Sequence, residues 1–221
     1  MTVLVPPGAH PNIACAVEGF TLSNTIGGTC QVMTATVATP SVADGDVVVT
    51  VTAANMGGTP KDVTVTVANE DTVGEVAALL AAALAADADV GAFFDITAAG
   101  AVVTLTRKTH AANDATMALA VKTDASNTGV TIDDAITVQG ALATSCTITL
   151  TPEVSYAATP AMVGVPQRVP GAGSAATTMT WAITAQSTAG VTITVTLDQA
   201  PGAGKTDTIV FNGGLIGVPA R

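Results

Sequence analysis

The sequence contains few aromatic and few charged residues. Aromatic side chains make up 3% of its 221 residues and charged side chains 11%, whereas hydrophobic residues make up 48%. An average soluble domain has roughly 25% charged residues. The hydrophobic core must therefore consist of thin layers of Val, Ile, Leu and Ala. A surface that is poor in charge and rich in Thr and Gly is unusual for a free monomer, so we expect other subunits to cover part of it.

Basic residues are scarce as well. The chain has 7 Lys and Arg residues against 17 Asp and Glu residues, and its net charge is -10. A nucleic-acid backbone requires a basic stripe to neutralise its phosphates, so the composition argues against nucleic acid and we predict no such partner. The absence of any run of about 18 apolar residues predicts no membrane span and no membrane partner. The N-terminal sequence MTVLVPPGAHP lacks a basic segment and is interrupted by prolines, so we expect no signal peptide.

Cysteine and histidine are too few for a recognisable metal site. Cys15 and Cys30 could close a loop, but Cys146 makes the number of cysteines odd. Their spacing matches no zinc pattern, and His10 is the only nitrogen ligand close in sequence. We therefore expect three reduced and mostly buried thiols. This expectation is consistent with assembly in a cytoplasm.

The sequence contains no recognisable catalytic or nucleotide-binding motif. His110 lies in RKTHAAND beside Asn113 and Asp114, and a Ser or Cys nucleophile would have to come from elsewhere in the chain. We interpret His110 as a loop histidine. The GAGK sequence at 202–205 lacks the upstream glycine of a P-loop, and the glycines at 57–58 are typical of a turn. We predict no catalytic residue, no cofactor and no enzyme activity.

Two pairs of acidic residues are the remaining candidates for a metal site. Asp87 with Asp89, and Asp133 with Asp134, could each supply oxygen ligands to a calcium ion. Neither pair has the D-x-[DN]-x-[DN]-G spacing that completes a coordination shell. We interpret them as solvated acids in turns and predict no metal site.

The clearest pattern in the sequence is a β-β-α-β-β order between Asp44 and Gly140. Its centre, at about residues 72–87 (TVGEVAALLAAALAAD), is rich in the helix formers Ala and Leu. Thr72 and Glu75 match a capping box at the start of this helix. Apolar residues recur every three or four positions and form one stripe, at Val73, Val76, Leu80 and Leu84.

Strand patterns flank the predicted helix on both sides. Before it, DVVVTVT and DVTVTVAN alternate Val with Thr, and NMGGTP supplies the turn between them. After it, residues 93–97 and 101–106 predict a second hairpin around Gly100, and MALAVKT and ITVQG are candidates for further strands. One helix that covers one face of a small antiparallel sheet is the packing we expect.

The two ends of the chain predict further strands without helices. We expect strands at residues 29–38 and 146–151, followed by MTWAITAQ, GVTITVTLD and DTIVFNGG. Residues 157–176 are rich in Pro, Gly and Ala and predict a linker or an extended arm. Residues 1–28 also predict an arm, in which ACAVEGFTL could form a short strand.

These patterns predict a mainly β fold in which strands from the termini form a β-sandwich beside a small α+β unit. The regions are 1–43 (N-terminal arm and first strand), 44–140 (acidic unit) and 141–221 (C-terminal β-rich region). In this arrangement the strand at 29–38 joins the C-terminal strands, and the acidic unit is an insertion between them. The alternative is two consecutive domains preceded by an arm.

Charge is distributed unevenly among these three regions. Residues 1–43 hold one acid, Glu18, and no Lys or Arg, whereas residues 44–140 have a net charge of -9 and residues 141–221 a net charge of zero. We interpret the middle region as solvated and the ends as surfaces that other subunits cover. The alternative is that the ends form an ordinary uncharged β domain. Independently of this choice, we interpret Trp181, the only Trp, first as a hydrophobic-core residue and second as an interface anchor.

Residues 44–124 contain several marks that resemble a segment found in virion structural proteins of tailed bacteriophages. The marks are TAANMGG at 52–58, Asp71-Thr72 at the start of the helix, Ala92-Phe93-Phe94 after it, and AANDAT at 111–116. The resemblance implies a structural role in the virion, with assembly in the host bacterial cytoplasm, and no reaction.

Among virion proteins, the expected function is that of a capsid cement or decoration protein that stabilises the head by bridging capsid subunits. Its partners would be the major capsid protein and neighbouring copies of itself, with a homotrimer as the expected oligomer. One alternative is a tail structural protein, either a tube subunit or a tail-decorating subunit. A carbohydrate-binding adhesin is a weaker alternative, because one Trp and one Tyr provide few aromatic platforms.

Overall fold

The computed structural model describes residues 2–4, 15–153 and 155–220. The fold is mainly β, as the sequence predicts. The chain divides into two compact units. Unit 1 comprises Met1–Gly27 and Leu142–Arg221, and unit 2 comprises Gly28–Ala141. Unit 2 is therefore inserted into the sequence of unit 1.

The secondary-structure elements follow one another in this order. The first half contains β1 (Thr2–Leu4), β2 (Cys15–Ile26), β3 (Gly28–Thr29), β4 (Val32–Val37), β5 (Gly45–Thr52), β6 (Lys61–Val67), α1 (Val73–Ala86), α2 (Ala88–Phe93), β7 (Phe94–Ala99) and β8 (Val102–Arg107). The second half contains β9 (Ala118–Thr123), β10 (Ile132–Val138), β11 (Ala141–Leu142), β12 (Ser145–Leu150), β13 (Ala161–Val169), β14 (Met179–Ser187), β15 (Gly190–Leu197) and β16 (Asp207–Gly217).

Unit 2 contains two antiparallel sheets that share one core with α1. The strand orders are β6-β5-β9 and β10-β4-β8-β7. Most strands turn apolar side chains inward and mainly Thr outward, as in β5, where Val47, Val49 and Val51 are buried. The carboxylate of Asp134 on β10 accepts a hydrogen bond from the backbone N–H of Leu119 on β9 at 3.0 Å. This bond links the two sheets side by side.

Helix α1 begins at the predicted capping box. The hydroxyl of Thr72 accepts a hydrogen bond from the backbone N–H of Glu75, and the Glu75 carboxylate accepts one from the backbone N–H of Thr72 at 2.9 Å. The buried face contains Val76, Leu80 and Leu84. This face packs against β6 and β7, one end strand of each sheet, and also against β4 and β8. The helix therefore packs against strands of both sheets.

The structure adds a short second helix that the sequence pattern did not predict. The carboxylate of Asp87 accepts hydrogen bonds from the backbone N–H groups of Asp89 and Val90 and so caps α2. Residue 87 ends α1 and begins α2. The following strand consequently starts at Phe94. The sequence pattern did not predict this break between the two helices, because the residues on both sides of Asp87 are rich in Ala.

The predicted pairing of the strand at residues 29–38 is wrong. This segment forms β4, which lies between β10 and β8 within unit 2 and not beside the C-terminal strands. Met33, Ala35 and Val37 are buried in the core of unit 2. The alternation of apolar residues and Thr predicts a strand, but it is common to most strands of this chain and so does not identify the partner strand.

Unit 1 contains two further antiparallel sheets. Their strand orders are β1-β2-β16-β13 and β12-β15-β14. The core between them includes the largest buried side chains of unit 1, namely Ile26, Leu150, Ile193, Ile209, Phe211 and Leu215. Strands from both termini thus form a sandwich-like unit, as the sequence predicts.

Two segments of unit 1 that were predicted as arms contain strands. Residues 15–26 form β2, an interior strand that pairs with β16 from Ile26 opposite Asp207 to Ala16 opposite Gly217. The rest of the predicted arm at 5–14 lies outside the described residues. The predicted linker at 157–176 contains β13.

The sequence pattern did not predict β13 as a strand, because this segment contains a glycine and a proline. Gly164 has a φ of +110°, and a Cβ at this position would lie 2.7 Å from the carbonyl oxygen of Asn212. Pro166 cannot donate a ladder hydrogen bond, which is tolerated because β13 is the last strand of its sheet.

Candidate interaction surface

The structure describes one of the two histidines that the sequence offers as candidate catalytic residues. His110 is half-buried in the loop after β8, and a Cβ on Gly28 would lie 2.9 Å from its Cδ2 atom. His10 lies outside the described residues. No group of three or more His, Cys, Asp or Glu residues among those described is arranged to hold a metal ion.

Cys30 and Cys146 carry free thiols. Burial raises the pKa of the Cys146 thiol, which leaves it protonated and unreactive at neutral pH. The side chain of Cys15 lies outside the described residues.

Three of the four candidate calcium acids, Asp87, Asp89 and Asp134, bind groups of the protein itself. Asp87 caps α2, and the N–H of Val90 is the main cause that lowers the pKa of this carboxyl group. The Lys61 ammonium lies 2.6 Å from the carboxylate of Asp89 and 3.5 Å from that of Asp87. Asp134 links β10 to β9, as described above. These carboxylates are structural, and the interpretation of Asp87 and Asp89 as merely solvated acids is corrected.

The glycine-rich segments lie in turns, and the described cavity lacks polar lining. Residues 57–58 belong to the turn between β5 and β6, and residues 202–205 to the turn between β15 and β16. An apolar cavity in unit 2 is lined by Val, Leu and Ile side chains of β5, β6, α1 and the start of β10. Ligand pockets normally include a few polar groups that orient the ligand. In the described residues, no helix is both long and apolar enough to cross a membrane.

Several residues that carry the resemblance to phage virion proteins make contacts within unit 2. Asp114, in the segment at 111–116, accepts a hydrogen bond from the N–H of Ala54 in the segment at 52–58. The backbone N–H of Asp114 donates to the side-chain oxygen of Gln31 at 2.8 Å. The rings of Phe93 and Phe94 meet edge to face at 4.9 Å. The hydrogen bonds of Asp114 thus hold three segments of unit 2 together.

The most distinctive surface belongs to unit 1. We call β13 and β14 together the open edge, because each is the last strand of its sheet. On β14, every residue after Met179 is exposed, with Trp181 at 39% and Ile183 at 41%. On β13, the exposed valines are Val163 at 45%, Val165 at 53% and Val169 at 53%. Large apolar side chains are thus accessible on both strands.

Trp181 and Ile183 point toward the core side of their sheet. Trp181 lies opposite Val195 and Ile183 opposite Ile193, and both β15 residues are fully buried. Directly opposite residues of an antiparallel pair share a face of the sheet. The core layer therefore continues onto β14 but is only partly covered there. The sequence suggested that Trp181 is either a core residue or an interface anchor. In the structure it lies at the margin of the core and is partly exposed.

The exposed valines of β13 lie on the outer face of the other sheet. Val165 lies opposite the exposed Asn212, and Val169 lies opposite the half-buried Thr208. The neighbouring Pro166 lies opposite the buried Phe211 and points inward. The open edge therefore exposes an inner apolar face on β14 and an outer apolar face on β13.

A buried ion pair supports the connection between the two strands of the open edge. Arg168 Nε on β13 lies 2.7 Å from a carboxylate oxygen of Asp207, which is fully buried. Asp207 also accepts hydrogen bonds from the N–H of Gly171 at 2.8 Å and the hydroxyl of Ser174 at 3.1 Å. The Arg168 guanidinium donates to the carbonyl oxygen of Ala176 at 2.7 Å. These bonds anchor the connecting segment to the core.

The electrostatics of Asp207 follow from this network. Burial alone would raise the pKa of its carboxyl group, but the hydrogen bond from Arg168 and those from Gly171 and Ser174 outweigh burial and lower it. Asp207 is therefore ionised at neutral pH. Its charge is paired with that of Arg168, so the open edge carries no exposed charge of its own.

The two units differ strongly in net charge. The residues of unit 1 include four acids and three bases, which give -1, whereas those of unit 2 include 13 acids and four bases, which give -9. Strand β14 contains no charged residue. The sequence predicted uncharged ends, but it did not show that β13 and β14 are edge strands.

Comparisons with known proteins add no further assignment: no protein-family model matches the chain, and no curated protein matches its sequence. The functional argument therefore depends on the open edge and on the resemblance of residues 44–124. One sequence signal could have located β13, because Val163, Val165 and Val169 follow the two-residue period of a strand within the predicted linker.

Proposed function

We propose that this protein is a non-enzymatic structural protein of a tailed-bacteriophage virion and acts as a capsid cement or decoration protein. The observation that carries the proposal is the contrast between the apolar, uncharged open edge of unit 1 and the net charge of -9 on unit 2. The resemblance of residues 44–124, which lie within unit 2, supports a virion as the place of action.

In this proposal the open edge is the adhesive surface. An exposed strand can extend the sheet of a neighbour through main-chain hydrogen bonds, and its side chains then provide specificity. Burial of apolar surface contributes about 25 cal/mol per Å². Many modest contacts on one particle add through avidity. The acidic unit 2 would face solvent, where its charge keeps particles apart.

The partners in this proposal are the major capsid protein and neighbouring copies of the chain. A homotrimer would suit the threefold positions of an icosahedral shell, and this stoichiometry stays a prediction. Assembly would take place in the host bacterial cytoplasm.

The alternatives differ in how well the open edge supports them. A tail protein would also use open strands, since different edges on one subunit can form rings through heterologous contacts. A carbohydrate-binding adhesin requires exposed aromatic rings. Tyr156, the only Tyr, is 3% exposed, so Trp181 is left as the exposed member of this pair. The adhesin is therefore the weaker alternative.

Electron cryo-microscopy of purified phage particles that contain this chain tests the proposal. We expect density for the chain across the seams between capsid subunits, with unit 1 against the shell. Density in the tail would replace the cement function with the tail alternative. Absence of the chain from the particles would overturn both.

Matched surface variants test whether unit 1 is the adhesive part. Val165→Asp places a charge on the outer face of β13, where the side chain is 53% exposed. Thr64→Asp places the same charge on an exposed position of β6 in unit 2. We expect the first variant to bind stripped particles at least about tenfold more weakly and the second to bind normally. Equal binding of both variants would contradict attachment through β13.

A further inference from the structure

We propose that β14 is a self-association site, at which β14 of one copy pairs antiparallel with β14 of a second copy around a twofold axis. This inference goes beyond the proposed function and does not depend on it, because the contact needs no capsid. It concerns the chain free in solution.

The first argument is that β14 lacks the features that normally protect an edge strand. It has nine residues, of which eight are exposed, and its sequence MTWAITAQS contains neither a charge nor a proline. Soluble proteins usually protect edge strands with charges, prolines, bulges or a covering element. Strand β14 has one irregularity, between Ile183 and Ala185, which leaves the segment from 179 to 183 regular.

The second argument is that the other long edges carry features that oppose pairing. The end strands of the two sheets of unit 2 all contain charged residues, namely Lys61 and Asp62 in β6, Asp95 in β7, Lys122 in β9, and Asp133 and Asp134 in β10. Strand β13 is exposed like β14, but Pro166 and the kinked Gly164 interrupt its main chain for pairing. The outer edge of β12 lies beside β2, where the Asn24 side chain donates to the carbonyl oxygen of Thr147 at 2.8 Å. Among the strands that the structure describes, β14 is thus the long edge without such protection.

The third argument concerns the chemistry of the partner strand. A charged partner strand would find no counter-charge on β14, since the strand contains no ionisable residue. The partner should therefore be an uncharged strand with apolar residues on one face and small polar residues on the other. Strand β14 itself meets this description. Because antiparallel pairing of identical strands is isologous, the contact closes as a dimer and leaves no free edge.

The side chains also favour one register, centred on Ala182. In this register Trp181 lies opposite Ile183 of the second copy on the inner face, and this pair occurs twice. The pairing uses the regular segment up to Ile183 and ends at the irregularity at Thr184. Aromatic residues opposite β-branched residues are favourable cross-strand pairs. The two three-stranded sheets would become one sheet of six strands.

Sedimentation analysis of the purified chain is the first test. We expect a concentration-dependent dimer. Ile183→Lys, at a position that is 41% exposed, should raise the dimer dissociation constant about tenfold or more, because two charges enter an uncharged contact. Val163→Lys is the matched control at 45% exposure on β13 and should leave the dissociation constant unchanged. Circular dichroism and Trp fluorescence establish that both variants are folded.

Disulfide trapping tests the register. In a background of Cys15→Ser, Cys30→Ser and Cys146→Ser, a Trp181→Cys variant is mixed with an Ile183→Cys variant and oxidised. Directly opposite residues lie about 4.5–5.5 Å apart and diagonal ones about 7–8 Å, whereas disulfides need Cα atoms less than about 7 Å apart. We therefore expect a cross-linked dimer in the mixture and little cross-linking of either variant alone.

Each outcome decides the inference separately from the virion proposal. A dimer that Ile183→Lys dissociates and that cross-links only in the mixture supports it. A monomer at all concentrations, a trimer, or a dimer insensitive to Ile183→Lys overturns it. Binding of a monomer to phage particles through β14 would overturn self-association and leave the capsid proposal standing. If the chain is a dimer in solution but is absent from the particles, self-association stands and the capsid proposal is overturned.

Discussion

The two units are built from similar Val- and Thr-rich strands, yet they treat their sheet edges in opposite ways. In unit 2, α1 packs against β6 and β7, one end strand of each sheet, and the other two end strands, β9 and β10, are linked through Asp134. In unit 1, β13 and β14 end their sheets and expose Val, Ile and Trp side chains. The difference shows that strand composition does not determine whether a β unit is closed. The presence of a covering element does.

Charge follows the same division. Unit 2, whose end strands pack against α1 or against each other, has a net charge of -9, whereas unit 1, with the open edge, has a net charge of -1. A charged surface favours solvation, and an uncharged exposed edge favours contact with another chain. The closed unit is suited to face solvent and the open unit to form contacts.

The chain offers a separate probe for each unit. Trp181, the only Trp, lies in unit 1, and its fluorescence reports the unfolding of that unit. Helices α1 and α2 lie in unit 2, so the helical circular dichroism signal reports unit 2. Denaturant titrations followed by both signals can therefore assign the effect of each variant to a unit.

The largest effect is expected from the buried ion pair of unit 1. Asp207→Ala leaves the Arg168 guanidinium without its partner and should lower the free energy of unfolding by about 3–5 kcal/mol. Urea unfolding followed by Trp fluorescence should show the loss, while the helical signal keeps its midpoint. Asp133→Asn, an exposed position in unit 2, is the control and should change neither midpoint. Equal shifts of both signals would show that the units unfold as one.

A comparable effect in unit 2 should come from the helix that closes it. Leu80 is 1% exposed, and Leu80→Ala should lower the free energy of unfolding by about 2–5 kcal/mol because a cavity forms beneath α1. The adjacent Leu79 is 40% exposed, so Leu79→Ala is a matched control with a much smaller effect. The helical circular dichroism signal measures both. Similar losses for the two variants would contradict the orientation of α1.

Acidification should weaken both units through one buried aspartate in each. Folding lowers the pKa of Asp207 and of Asp114; burial opposes the shift at Asp114, but hydrogen bonds from Thr116 and Ala54 outweigh it. The stabilisation is therefore present above the unfolded value of about 3.9 and is lost as pH falls through the lower folded value. Urea midpoints measured from pH 6 downward should fall for both signals. Asp207→Ala should reduce the pH dependence of the Trp signal alone.

A smaller effect is expected at the start of α1. Thr72→Ala removes the hydroxyl that caps the helix and should lower the free energy of unfolding of unit 2 by about 1 kcal/mol. Thr72→Ser keeps a hydroxyl and should retain most of the stability. Thermal unfolding followed at the helical signal distinguishes the two variants. Loss of stability in Thr72→Ser equal to that in Thr72→Ala would argue against the capping role.

The smallest effect is expected on the open edge. Val165 is 53% exposed, so Val165→Thr should change the free energy of unfolding of unit 1 by less than about 0.5 kcal/mol. Val195 is fully buried, and Val195→Thr, the same substitution in the core, should be clearly destabilising because it buries an additional hydroxyl. Trp fluorescence during urea unfolding measures both. A large loss for Val165→Thr would mean that β13 is covered within the folded chain.

The local features of unit 2 were largely predictable. The capping box of Thr72 and Glu75 and the stripe of Val76, Leu80 and Leu84 depend on residues three or four positions apart, which one helix brings together. The short helix α2 was not predicted, because its signal is the Asp87 cap within a continuous Ala-rich segment. The separation of the two predicted hairpins into different sheets also escaped sequence reasoning, since it depends on which distant strands pair.

The candidate interaction surface was predictable only in its composition. The lack of charge in β14 can be read directly from MTWAITAQS. The position of β14 at an edge cannot, because β12, β14 and β15 share the same alternating pattern. Strand β13 was predicted as a linker because Gly164 and Pro166 usually interrupt strands, and an edge position is one of the few that accept them.

The sequence by itself determined the mainly β class, the helix and its cap, the acidic middle of the chain and the uncharged ends. These properties follow from composition and from contacts between residues close in the chain. Only the tertiary structure decided that β4 belongs to unit 2, that β2 is an interior strand, and that β13 and β14 form the open edge. Strand pairing joins distant residues, and the Val and Thr pattern that makes each strand fits many partners equally well.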